Sequence, residues 1–160
     1  METLKLIHVG IAEMRITSGE NTLRTILGSC IGICLYDQSI KMGGLAHIML
    51  PSANAEDALA EKYADTALPL MVRRMEDAGS DPKRIKAKIA GGARMFDLPG
   101  NSMIASIGIN NAAKVQEILS EMGIKLIGKD VGGNYSRTIT FHLSTGAVKV
   151  KATGMPDMTL

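Results

Sequence analysis

The chain has 160 residues, 18 Lys plus Arg against 16 Asp plus Glu, and a formal net charge of +2. With no Trp, three Tyr and two Phe, it offers no basic, aromatic-lined surface for nucleic acid. The apolar runs are too short for a membrane span, and Met1–Lys5 is too polar to open a signal peptide. A cytoplasmic protein without membrane insertion is therefore expected.

At 46% hydrophobic residues the chain is globular, and its length fits a single domain over residues 1–160. The core must come from aliphatic residues, Ala and the eleven Met. In chain order, Leu4–Gly10 and Leu23–Leu27 read as short strands, and Gly28 breaks the pattern. Ile31–Tyr36 is apolar on both parities, as in a fully buried strand. Asp37-Gln38-Ser39 is turn chemistry, and Gly44–Leu50 returns as a strand with Leu45, His47 and Met49 on one face. The two strands form a hairpin, which brings Cys30 and His47 together.

Asn54, with Asp57 three residues on, is an N-cap signal for a helix reaching about Ala78. Pro69 is a point where that helix could kink or split, and Gly79 caps its end. Ile85–Ala90 alternates as a half-buried strand, Gly91–Phe96 is a loop, and Ser102–Ile107 reads as a short strand. Asn110 caps a second helix that Gly123 stops. Ile124–Val131 is a strand, and Arg137–Leu143 with Ala147–Ala152 makes a closing hairpin. Residues 153–160 read as a mobile tail. Hairpins at both ends imply α+β: a layered sandwich of mixed or antiparallel sheets flanked by helices.

Cys30 stands in Leu27-Gly28-Ser29-Cys30, behind a glycine turn that allows close substrate approach. Backbone N–H groups of Gly28, Ser29 and Cys30 are candidates for an oxyanion hole. A cysteine in an apolar segment is most often an inert core residue, and Cys34 fits that description. His47 can be a satisfied core histidine or a base that generates the thiolate. Thr22, Thr25, Ser29 or a backbone carbonyl could orient its ring. Thr25 shares parity with Leu23 and Leu27 and so points inward. His8 and His142 read as structural, and three scattered histidines make no metal site. Gly91-Gly92 and Gly132-Gly133 lack phosphate-loop spacing and read as tight turns rimming a site. Arg94 and Arg137 read as solvated or paired surface residues.

The blocks L-G-S-C-I-G-I-C-L-Y-D (27–37) and G-G-L-A-H-I-M-L-P (43–51) resemble the chemoreceptor glutamine deamidase family, CheD. G-G-A-R-M-F (91–96), I-G-I-N-N (107–111) and D-V-G-G-N-Y-S-R (130–137) support the resemblance in the family's order. It implies a hydrolase that converts selected glutamines of methyl-accepting chemotaxis receptors to glutamate, releasing ammonia through a Cys thioester. It implies Cys30 as nucleophile, His47 as base, and a threonine shortly before the cysteine as third member. Where the family pattern can place that threonine, this chain has Arg24, and Thr25 is its neighbour. The resemblance implies no cofactor. It adds a CheC-type chemotaxis phosphatase as a second partner. An adaptor with little catalysis, and another protein-modifying cysteine amidase or transglutaminase, are the competing readings.

Overall fold

The computed structural model describes residues 4–53, 59–95 and 102–160, with side chains in the last stretch from 106 onward. The strands are β1 (Leu6–His8), β2 (Met14–Ser18), β3 (Thr22–Leu27), β4 (Ile31–Asp37), β5 (Met42–Ile48), β6 (Lys86–Gly91), β7 (Lys125–Val131), β8 (Arg137–His142), β9 (Val148–Lys151) and β10 (Met158–Thr159). The helices are α1 (Ala64–Asp77) and α2 (Ser102–Glu121). One five-stranded sheet runs β1-β3-β8-β9-β10 and the other β2-β5-β4-β6-β7. Both mix parallel and antiparallel pairs. The architecture is the expected α+β sandwich.

Strand alternation sorts the core into two layers. Ile31, Ile33 and Leu35 of β4 face α1 and α2, with Ile48, Ile89, Met71 and Val115. On the opposite face, Cys34 and Leu45 meet Leu23, Leu27, Ile139 and Phe141 of the other sheet. Thus the helices cover one face of the β4 sheet and the β3 sheet covers the other. Helix α1 buries Ala64, Ala67, Leu68, Met71 and Met75, one stripe at helical spacing. That stripe carries the helix through Pro69 unbroken. Its end is a Schellman cap: Gly79 takes φ +115°, and Ser80 N–H reaches the Met75 carbonyl at 2.9 Å. The expected N-cap at Asn54 lies outside the described residues, as does Asp57.

Four expectations change. The first helix begins at Ala64, not near Asn54: Leu59 and Tyr63 are extended on either side of a short 3-10 turn, and Tyr63 bridges to Leu50 beside β5, which keeps it out of the helix. Met14–Ser18 is an added strand: it pairs with β5 from Met14↔Ala46 to Ser18↔Met42. Ser102–Ile107 is the first part of α2 rather than a strand, and Asn110 lies inside the helix rather than capping it. Tertiary packing decides this, because a Cβ on Gly108 would meet the Gly92 and Ala93 carbonyl oxygens at 2.5 Å. The expected mobile tail instead returns to the sheet: Met158 pairs with Val150, and Leu160 N–H bonds the Val148 carbonyl at 2.8 Å.

The hairpin of β4 and β5 forms as expected, with Ile31 opposite Ile48 and Gly32 opposite His47. Asp37 closes it by accepting from Ser39 N–H at 3.1 Å and Ser39 Oγ at 2.8 Å. Ser80 and Arg84 reach the same carboxylate from the segment after α1.

Candidate active site

Residues of one parity share a face, so Gly32 and His47, directly opposite, both point toward the β3 sheet. Cys30 is two residues before Gly32 and lies diagonally across from His47. Diagonal cross-strand neighbours are within reach of long side chains. The thiol is part-exposed and the imidazole is buried, 2% exposed. Among the described residues, no hydrogen bond joins the thiol to another side chain. Cys34, on the same face one pair further along, is sealed in the core.

Thr25 comes from the other sheet. Its hydroxyl donates to the Val9 carbonyl at 2.6 Å and lies 2.7 Å from His47 Nδ1. A hydroxyl has one proton, and Val9 takes it. Oγ1 can therefore only accept from His47, which places the ring proton on Nδ1 and leaves Nε2 with a lone pair. Of the candidate orienting groups, the structure brings Thr25 and the Val9 carbonyl to the ring. Thr22 sits instead beside His142, 3.5 Å from its Nδ1. The turn 10–13 grips His47 by its backbone: Ala12 N–H donates to the His47 carbonyl at 2.9 Å, and His47 N–H to the Glu13 carbonyl at 3.1 Å.

The electrostatics favour neutral partners at rest. Burial pushes the Cys30 thiol above its ordinary 9.0. Burial also lowers His47 below its ordinary 6.5, opposed by the Val9 carbonyl and the Glu13 carboxylate. The imidazole can thus act as a base at neutral pH, and the same two groups stabilise the imidazolium once a proton arrives. Burial likewise lowers His142, aided by Lys149 and Arg24.

The glycine pairs rim the Cys30 turn. Gly92 N–H donates to the Cys30 carbonyl and Ala93 N–H to the Gly28 carbonyl, both at 2.9 Å. A Cβ at Gly91, where φ is +110°, would lie 2.2 Å from the Cys30 carbonyl oxygen. Gly132 N–H then bonds Gly91, and Gly133 accepts from Arg94 N–H. Arg137 holds this second loop, donating to the carbonyls of Asp130 and Gly132 and pairing with the Asp130 carboxylate at 3.1 Å. It is 1% exposed, so the surface role read for it is corrected: its parity with Ile139 and Phe141 turns it inward. The N–H groups of Gly28, Ser29 and Cys30 have no acceptor among the described residues. Asn111, which the sequence reading missed, donates from Nδ2 to the carbonyls of Ser29 and Met49. Its spacing was the available signal, since it falls four residues before Val115 on the apolar stripe of α2. Among the described residues no cluster of His, Cys, Asp and Glu could hold a metal ion.

The α+β sandwich thus brings Thr25 and His47 into contact at the seam of its two sheets, on the face that Cys30 shares. The family model described as CheD chemotactic sensory transduction matches residues 49–152. A protein of Syntrophomonas wolfei named "Probable chemoreceptor glutamine deamidase CheD" is 50% identical over 153 residues, covering 94% of this chain and 95% of its own. Proteins of the same name from Clostridium kluyveri (44% over 155 residues; 95% and 96%) and Clostridium acetobutylicum (41% over 157; 96% and 95%) are similar. Coverage of this extent spans the whole Thr25–His47 segment. The chain belongs to the CheD family.

Proposed function

We propose that this chain is a protein-glutamine deamidase of chemoreceptors, with Cys30 as nucleophile, His47 as base and Thr25 as the group that orients it. The observation that carries the reading is the buried 2.7 Å contact of Thr25 with His47 on the face that Cys30 shares. The names of the relatives supply the substrate.

His47 Nε2 takes the thiol proton as Cys30 Sγ bonds to the side-chain amide carbon of a glutamine. The carbonyl oxygen becomes an oxyanion facing the N–H groups of the Gly28–Cys30 turn, which have no acceptor among the described residues. His47 then gives the proton to the departing nitrogen, and the C–N bond breaks to leave ammonia and a thioester. Water adds to the thioester carbon while His47 takes its proton. The C–S bond breaks, glutamate leaves, and the proton returns to Cys30. Burial raises the Cys30 pKa and lowers that of His47, which favours proton movement during sulfur attack over a standing ion pair.

A CheC-type phosphatase as second partner belongs to the same proposal and is supported by the family resemblance. So does a cytoplasmic site of action; no helix among the described residues is long and apolar enough to cross a membrane.

Incubation with the cytoplasmic fragment of a chemoreceptor should raise its mass by about one dalton per deamidated glutamine, with ammonia released. Binding without a mass change would favour the adaptor reading. Incorporation of an added primary amine in place of water would favour a transglutaminase.

A further inference from the structure

Asn111 projects from α2 into the base of the Cys30 turn and has no exposed surface. Its Nδ2 donates to the Ser29 carbonyl at 3.0 Å and to the Met49 carbonyl at 2.9 Å. Met49 follows Ile48, the partner of Ile31, so the two carbonyls belong to the paired chain ends that carry Cys30 and His47. Both amide protons are used, and Oδ1 is buried with no partner among the described residues. Turning the amide over would set an oxygen against two carbonyls, so this orientation is the one the site can hold. An orphaned buried acceptor is costly, and a side chain serving only to fill space would avoid it.

The bond to Ser29 also fixes an angle. In a trans peptide the carbonyl and the following N–H point in opposite directions, and the described chain has no cis bond. Holding the Ser29 oxygen toward α2 aims the Cys30 N–H away from α2, the direction taken by the Cys30 side chain. The next carbonyl, that of Cys30 itself, is held by Gly92 N–H at 2.9 Å. Both carbonyls flanking Cys30 are therefore pinned, and the N–H between them has no acceptor among the described residues.

We infer that Asn111 is a positioning residue for acyl transfer: it sets the plane of the Ser29–Cys30 peptide so that the Cys30 N–H meets the oxyanion. This rests on the deamidase reading. It separates two reactions of one thiol. Alkylation by iodoacetamide displaces iodide and forms no oxyanion. Addition to a glutamine-like peptide aldehyde does form one, as does deamidation.

Asn111→Leu, Asn111→Ser and Asn111→Asp would be compared with wild type by all three reactions. In Asn111→Leu, Cys30 alkylation should stay within about threefold. Aldehyde affinity and deamidation kcat should fall by about 10- to 100-fold with KM little changed. Asn111→Ser, which keeps one donor, should fall between the two. Aldehyde capture at the wild-type level in Asn111→Leu would overturn the assignment. So would alkylation falling in parallel with capture, or failure of all three variants to fold, which would make Asn111 a residue of the fold. Wild-type protein that captures the aldehyde but leaves the receptor fragment unchanged would instead refute the receptor reading. The aldehyde arm would still decide the role of Asn111.

Discussion

At one end β4 closes on Asp37 and at the other it opens from Cys30. Both ends are tied to distant segments, but by different accounting of polar groups. The Asp37 carboxylate has no exposed side-chain surface and accepts from Ser39, Ser80 and Arg84. Burial alone would raise its pKa, but these hydrogen bonds hold it well below the usual carboxylate range. At the Cys30 end, Asn111 Oδ1 and Arg137 Nε are buried without partners among the described residues. Four glycines there, Gly91, Gly92, Gly132 and Gly133, take positive φ values, and burial lowers the pKa of the His47 imidazole. One end of the strand spends its polar groups on stability. The other keeps a buried acceptor and a buried donor without a partner among the described residues, beneath the turn that carries Cys30.

The comparison can be broken from either side. The largest effect belongs to Cys30→Ala, which should cut receptor deamidation by about 10⁴-fold or more with the melting temperature little changed. His47→Ala should cost about 10²- to 10⁴-fold in kcat. Thr25→Val removes the ring's orienting acceptor and should cost roughly tenfold, read in kcat rather than KM. At the far end the pattern should invert. Asp37→Asn should lower the melting temperature by about 5–10 °C while kcat stays within about twofold. Loss of activity there would mean that the two ends are not separate.

The smallest effect is on pH. Since burial lowers His47, the acid limb of kcat/KM should lie below pH 6.5, the imidazole's ordinary value. Glu13→Gln removes a charge that raises the His47 pKa, so the limb should move to still lower pH. The linkage has the same sign. Below pH 6.5 the unfolded chain binds the proton first, so stability due to His47 falls as pH drops toward the folded-state pKa. His47→Gln should flatten that slope in a thermal melt series.

The hairpin, both helices' glycine stops and the inward parity of Thr25 were legible because each is a local pattern. The β2 strand was not: Met14–Ser18 is a polar-rich edge segment, and its partners lie about thirty residues away. Asn111 and Arg137 were misjudged or missed for a shared reason. Each is a polar residue at an apolar position of its element's period, and a sequence gives no partner that would satisfy it there. Asn111 needed carbonyls from residues 29 and 49, and Arg137 those of a loop whose closure depends on Gly91. The meeting of Thr25 with His47 is likewise a contact between sheets, which strand periodicity alone does not specify.

Gly32, opposite His47, has no side chain to hold the sheets apart. A Cβ there would lie 2.7 Å from Ile139 Cδ1 and 3.0 Å from Leu27 Cδ1. The hydroxyl and the ring it orients ride on different sheets, so their 2.7 Å contact works as a gauge of intersheet distance. Widening that gap by the width of a methyl group would stretch the gauge past hydrogen-bond range without touching thiol, ring or hydroxyl. The tautomer of His47 is thus set partly by an atom the chain omits.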